Sequence, residues 1–166
     1  MKNYLKSVFL FAVMMTTAGL FQANAQTLTG KCIKVTDGDS FTIWSMGRNI
    51  EVELAGVDCP ELDQDFGNEA KEFTSNLVFK KMVEINVNTY DSKGRVIARV
   101  TVDGKDASIQ VISAGMAWYD KETDKDKALG KAQKMAKKEK RGLWANPNPV
   151  APWVFRKTQT TEEKPE

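Results

Sequence analysis

The chain has 166 residues, and its 24 lysines and arginines nearly balance its 22 aspartates and glutamates. It contains no histidine, which is the usual general base in enzymes and the commonest ligand of transition metals. The composition therefore argues against a Ser-His or Cys-His nucleophile and against a zinc site, and the length suits one domain with one core.

The first 25 residues are typical of an export signal. Lys2 and Lys6 supply positive charge, an apolar run covers residues 8–20, and Ala-Asn-Ala at residues 23–25 offers a cleavage site. The alternative is a membrane anchor, but the run is short of the ~20 apolar residues that a spanning helix needs. We therefore expect an exported protein, periplasmic or secreted.

Removal of the signal takes away two lysines and no acid, so the mature chain is formally neutral and its bulk charge does not predict nucleic-acid binding.

Three short runs rich in β-forming residues come first in the mature chain, at residues 31–36, 41–44 and 50–55. Asp-Gly and Gly-Arg-Asn sequences separate them, which predicts a three-stranded meander. In the third run the apolar side chains alternate with Glu51 and Glu53. We therefore expect Glu53 to point away from the apolar layer, toward the acidic clusters described below.

The middle and the end of the chain predict helices interleaved with strands. Apolar residues recur at helical spacing over residues 66–79, strands follow at 82–89 and 95–102, and a short helix covers 107–114 and ends at Gly115. A third helix is predicted to end near Gly142. The proline-rich segment after it is expected to be extended, and residues 157–166 are expected to form a disordered polar tail. This order predicts an α+β fold over residues 26–156, a five-stranded OB-type β-barrel with about three helices.

The two cysteines are Cys32 and Cys59. Export would place them in an oxidising environment, where a disulfide could form. Cys32 lies in an apolar run, however, and Cys59 stands between an aspartate and a proline. These positions favour two free thiols, one of them buried.

Two acidic clusters and one turn carry the candidate chemistry. The clusters are Asp-Gly-Asp-Ser at residues 37–40 and Asp-Cys-Pro-Glu at residues 58–61, and an Asp-Ser-Lys-Gly-Arg turn covers residues 91–95. Carboxylate oxygens bind hard cations such as calcium or magnesium, a glutamate can take a proton from water, and arginine offers a fixed fork of donors to phosphate. The pattern indicates metal-assisted phosphodiester chemistry. Asp37 precedes a tight glycine turn, where aspartate commonly accepts local backbone hydrogen bonds, so we expect its role to be structural.

These residues also carry a resemblance to a known family. From about Gly30 to Arg156 the chain resembles the staphylococcal nuclease (thermonuclease) family. The similar motifs are Val-Thr-Asp-Gly-Asp-Ser at 35–40, Leu-Ala-Gly-Val-Asp-Cys-Pro-Glu at 54–61, Phe-Gly-Asn-Glu-Ala at 66–70, the turn at 91–95, Gly-Met-Ala-Trp at 115–118 and Arg-Gly-Leu-Trp at 141–144.

The resemblance implies an OB-fold nuclease that uses calcium to cleave DNA and RNA. By position, Asp39 and Asp58 would bind the metal together with the backbone carbonyl of Cys59. Glu61 would activate water, and Arg95 would stabilise the charge that develops on the phosphate. We expect a monomer that acts on DNA and RNA and has no membrane span once the signal is removed.

Two further residues are candidates for substrate binding, and one of them departs from the family. Lys93 stands where the family often has a tyrosine, and we expect it to contact the substrate. Tyr119, or its neighbour Trp118, would offer a ring on which a nucleobase could stack. Packing in the core is the alternative for Trp118.

The most serious departure from the family is Glu53. Five residues before the metal-binding aspartate, the family has a second arginine that clamps the phosphate. Loss of one such donor typically lowers the rate by about 10²- to 10³-fold. Three interpretations stay open: Glu53 is an added metal ligand, the protein binds nucleic acid or a protein partner without cutting, or a basic residue offsets the exchange. Arg48 and Arg99 are the basic candidates, and Arg99 is favoured because it lies four residues after Arg95 in a predicted strand.

Overall fold

The computed structural model describes residues 27–162, with side chains described through residue 159. The predicted export signal lies outside these residues. Within the described part, no helix has the length and apolar character needed to cross a membrane.

Between residues 27 and 162, five long strands form a closed mixed barrel, and three two-residue strands make up the rest of the β-structure. The strands are β1 (Thr27–Val35), β2 (Ser40–Ser45), β3 (Arg48–Leu54), β4 (Val57–Asp58), β5 (Met82–Tyr90), β6 (Val96–Val102), β7 (Lys105–Asp106) and β8 (Trp118–Tyr119). The main sheet has the order β3-β2-β1-β5-β6-β7, and parallel pairing of β3 with β6 closes it. The predicted meander and the OB-type barrel are confirmed.

The barrel core follows from the period of two along each strand. In β3 the side chains of Ile50, Val52 and Leu54 are buried, whereas Glu51 is exposed and Glu53 is half-buried. The alternation therefore places Glu53 on the outer face of β3, as the sequence predicts. On this face it lies beside the turn that precedes β2, because Ser40 is its register partner.

The described residues also form four helices: α1 (Gly67–Val78), α2 (Ala107–Ser113), α3 (Lys127–Lys138) and α4 (Pro152–Glu162), with a 3-10 turn at Gly142–Ala145. Helix α1 packs against β1 and α2, and α2 packs against α3. Aspartates cap two of them, since the Asp106 carboxylate accepts the Ile109 N–H and the Asp126 carboxylate accepts the Ala128 N–H.

Helix α4 corrects the prediction for the end of the chain. The segment around Pro152 is helical rather than extended, and the helix continues to Glu162 through much of the tail that was expected to be disordered. The Ala151 carbonyl accepts the N–H groups of Val154 and Phe155, so Pro152 occupies the first helical position, where its fixed φ is favourable. Residues 163–166 lie outside the described part.

Cys32 and Cys59 are both free thiols and both buried, whereas the sequence led us to expect one buried thiol. Burial raises the pKa of both thiols. Cys59 follows β4 directly and packs against the turn that carries the first acidic cluster.

Candidate active site

The first acidic cluster is a turn held by the side chain of Asp37. Its Oδ1 accepts the N–H of Ser40 at 2.7 Å and the N–H of Asp39 at 3.2 Å. The structural role that we predicted for Asp37 is confirmed. The turn fixes the direction in which the Asp39 carboxylate points.

Gly38 lets this turn approach the second cluster. A Cβ atom at Gly38 would lie 2.6 Å from the Cβ of Cys59 and 2.8 Å from the Cβ of Ala70, so only glycine fits. The buried hydroxyl of Thr74 in α1 donates to the Gly38 carbonyl at 2.5 Å. The turn is therefore fixed between α1 and the segment after β4.

Asp39 lies beside the second cluster as a result. Its Oδ2 accepts the N–H of Cys59 at 2.6 Å. Burial raises the pKa of Asp39 well above its usual value, and the negative charges of Asp37 and Asp58 raise it further. A negative charge at Asp39 is thus unfavourable in the protein alone, and a bound cation would relieve that cost.

The second cluster is positioned by β4 and by the start of α1. Strand β4 pairs with β8, with Asp58 opposite Trp118. The N–H of Glu61 donates to Gln64 Oε1 at 3.2 Å. A Cβ atom at Gly67 would lie 1.8 Å from the Glu61 carbonyl oxygen, so this glycine allows α1 to begin directly against the Glu61 backbone.

Arg156 of α4 contacts both acids of the second cluster, and the sequence analysis missed this role. Its two Nη atoms donate to the two Asp58 oxygens at 3.0 and 2.9 Å, and Nη1 also donates to Glu61 Oε1 at 2.7 Å. The hydrogen bonds to Asp58 and then to Glu61 raise the pKa of Arg156. The sequence signal that indicates helix α4 is Pro152 at the start of the apolar run Trp-Val-Phe at residues 153–155.

Arg95 lies between two other carboxylates. Its Nε donates to Asp91 Oδ2 at 2.7 Å and its Nη2 to Glu53 Oε2 at 2.8 Å. Asp91 Oδ1 also accepts the N–H groups of Lys93 and Arg95, which makes the turn rigid. The side-chain hydrogen bond from Arg95 lowers the pKa of Asp91. Burial raises the pKa of Glu53, and Arg95 opposes that rise.

Arg99 does not offset Glu53, so our preference for Arg99 was wrong. Its guanidinium forms ion pairs with Asp106, Asp124 and Asp126 at 2.7, 3.2 and 3.0 Å. Strand β6 begins at Val96, so Arg95 belongs to the preceding turn and the argument from a shared strand face does not apply. Glu53 instead pairs with Arg95 itself.

The two predicted substrate-binding residues line different grooves. Lys93 borders an open groove of about 590 Å³ together with Arg48, Tyr90 and Arg95. Tyr119 lines another groove, of about 540 Å³, among lysines of α3 and of the preceding loop.

Trp118 belongs to an aromatic cluster. Its ring packs edge-on against Trp144, with centroids 4.4 Å apart, and against Trp153, with centroids 5.4 Å apart. Lys137 lies over the rings of Trp118 and Trp144. These contacts favour the packing role for Trp118.

The donor set restricts which metal ions fit. No group of three or more Asp, Glu or Cys side chains in residues 27–162 converges as a ready-made metal site. Asp39 and Asp58 offer two carboxylates, and the Cys59 carbonyl is the adjacent backbone oxygen. A hard cation such as calcium accepts backbone carbonyls and waters as ligands, so this all-oxygen set fits it.

Comparisons with known proteins agree with this architecture. Residues 51–146 match the family model described as staphylococcal nuclease homologue. An "Uncharacterized endonuclease" of Escherichia coli is 31% identical over 128 residues, which cover 76% of this chain and 84% of that protein. One of Haemophilus influenzae is 30% identical over 155 residues, covering 93% and 87%. The "Micrococcal nuclease" of Shigella flexneri is 31% identical over 141 residues, covering 77% and 80%. The chain therefore belongs to the staphylococcal nuclease family.

Proposed function

We propose that this protein is an exported, calcium-dependent nuclease that hydrolyses phosphodiester bonds of DNA and RNA. The observation that supports the proposal best is the meeting of two separate acidic segments, through the hydrogen bond from Cys59 N–H to the Asp39 carboxylate. Glu53 connects these two segments to Arg95. Its carboxylate pairs with Arg95, and the negative charges of Asp37 and Asp58 help to raise its pKa. This arrangement supports the proposal, because carboxylates suited to a hard metal ion and an arginine suited to phosphate belong to one cluster.

Each residue has a role that its position suits. Asp39, Asp58 and the Cys59 carbonyl would hold calcium, which when bound polarises the phosphate and offsets its charge. Glu61, half-buried beside them, would take the proton from the attacking water. Arg95 would donate to the phosphate oxygens, on which negative charge increases in the transition state. Lys93, which borders the groove next to Arg95, would contact the substrate backbone.

The direct test uses the chain without its predicted signal, residues 26–166. Cleavage of single-stranded DNA and RNA is measured in millimolar calcium and again with excess chelator. Cleavage in calcium that stops with chelator would support the proposal, whereas a folded chain that cuts neither substrate in any divalent metal would contradict it. Size analysis of the same sample tests the expected monomer.

A second candidate function is a nucleic-acid or protein binding module of low catalytic power. The contact between Glu53 and Arg95 favours it, because the arginine that should bind phosphate already has two carboxylate partners. Such a module would retain fluorescent single-stranded oligonucleotide without shortening it. Gel analysis of the bound oligonucleotide separates the two functions.

Export is part of the proposal and depends on residues 1–25 alone. Their charged start, apolar run and small-residue cleavage site support passage across a membrane followed by removal of the signal. Mass determination of the mature N-terminus would test it, with Gln26 expected as the first residue. The residue found would also decide whether the mature domain starts at 26.

A further inference from the structure

Arg156 is a site residue that lies outside the part of the chain matched by the family model, which covers residues 51–146. We propose that Arg156 is a substrate-binding residue: the counter-ion of Asp58 and Glu61 in the free protein, and a phosphate ligand when nucleic acid is bound. The proposal rests on the nuclease function proposed above. It assigns to helix α4 a part in substrate binding.

Packing, and not charge alone, places Arg156 at the site. Ala151 and Pro152 are buried at the start of α4, and the Trp153 ring packs edge-on against Trp118 with centroids 5.4 Å apart. Trp118 is the register partner of Asp58 in the β4–β8 pair. Arg156 follows Trp153 by three residues, so the two side chains are neighbours on one helix face. The strand pair that presents Asp58 therefore also anchors the helix that presents Arg156.

The site needs a second cationic donor. Arg95 already uses its Nε for Asp91 and its Nη2 for Glu53. A phosphodiester that enters among these carboxylates is repelled unless other positive groups face it. Arg156 keeps 49% of its side chain exposed while both Nη atoms face Asp58, so substrate can reach the guanidinium.

The chemistry of the guanidinium allows an exchange of partners. The planar fork that binds both oxygens of a carboxylate binds two phosphate oxygens equally well. If Asp58 ligates a cation, its oxygens can no longer both serve Arg156, and at least part of the fork is released beside the acid pair. Arg156 thus opposes cation binding and favours phosphate binding, which are effects of opposite sign.

The test measures these two binding events separately in full-length mature protein. Arg156→Gln removes the charge, Arg156→Lys keeps it without the fork, and Lys138→Gln is the charge-matched control on the exposed face of α3. Calcium affinity is measured by titration calorimetry without substrate. Affinity for a phosphorothioate single-stranded oligonucleotide, which resists cleavage, is measured by fluorescence anisotropy in calcium.

We expect Arg156→Gln to bind calcium about three- to tenfold more tightly, because a competing cation is gone. We expect the affinity of Arg156→Gln for the oligonucleotide to fall by at least about tenfold, since a charge-assisted bidentate contact is lost. Arg156→Lys should recover part of the oligonucleotide affinity, and Lys138→Gln should change calcium affinity little. Thermal unfolding confirms that each variant is folded.

Other results would overturn the proposal. Unchanged affinities with a lower melting temperature would show a purely structural ion pair. Tighter calcium binding with equal or tighter oligonucleotide binding would show a blocking contact. Failure of the nuclease function is a separate result: wild-type protein would then cut nothing, while the two affinities would still reveal whether Arg156 contacts phosphate.

Discussion

Replacement of Glu53 with glutamine should raise the rate of phosphodiester cleavage. Glu53 Oε2 lies 2.8 Å from Nη2 of Arg95, the guanidinium that we propose donates to the phosphate. Glutamine has the same shape and keeps an oxygen that can accept this hydrogen bond. The substitution therefore removes a negative charge from the site with little change in packing.

The size of the effect follows from Coulomb's law. With hydrogen bonds of about 3 Å on both sides of the guanidinium, the Glu53 carboxylate and a bound phosphate are about 7 Å apart. Two unit charges at that distance repel by about 0.6 kcal/mol in water and about 2.4 kcal/mol at an effective dielectric constant of about 20. These two energies correspond to a rise in kcat/KM of about threefold and about sixtyfold. The side chains of Glu53 and Arg95 are 23% and 33% exposed, so we expect a rise between these limits.

The assay compares kcat/KM on single-stranded DNA for wild type, Glu53→Gln and the control Glu84→Gln. Glu84 is exposed on β5, so the control removes the same charge from the barrel surface. Added salt should reduce the gain, because it screens the repulsion. An unchanged rate would refute the argument that Glu53 weakens phosphate binding. A lower rate together with weaker calcium binding would show instead that Glu53 is a metal ligand.

Three further predictions concern the site and its supports. Glu61→Gln should lower kcat by at least about 10²-fold through loss of the base, with an unchanged urea midpoint, and equal activity would remove Glu61 from the mechanism. Thr74→Val should lower the free energy of unfolding by about 1–3 kcal/mol in urea titration, because the Gly38 carbonyl loses its buried donor. The lowered pKa of Asp91 means that its bond to Arg95 stabilises the fold above the unfolded pKa of about 4 and is lost as the pH falls through the lower folded value. Asp91→Asn should therefore lower the melting temperature at pH 7, and the difference should shrink below about pH 4.

The sequence predicts the barrel well because its signals are local. Alternation in β3 and the Asp-Gly turn depend on neighbouring residues, and the structure confirms both. The end of the chain was predicted wrongly because three prolines suggested extended structure, although Pro152 occupies the one helical position that suits it. The contact of Trp153 with Trp118 helps to hold α4 in place, and no local pattern encodes a contact between residues so far apart in the chain.

The candidate site shows the same difference between local patterns, which the sequence reveals, and tertiary contacts, which it does not. The acidic residues and Arg95 were found because they fall in short local motifs. The role of Arg156 and the pairing of Arg95 with Glu53 were not, because these contacts depend on where distant segments meet. We favoured Arg99 because it lies four residues after Arg95, yet its guanidinium pairs with three aspartates and not with Glu53. Arg156 reaches Asp58 across 98 positions of sequence. Glu53 pairs with Arg95, and Arg156 pairs with Asp58 and Glu61, so tertiary contacts set the balance of charge in the candidate site. Glu53, which stands where the family has an arginine, must therefore be judged together with Arg156 of α4.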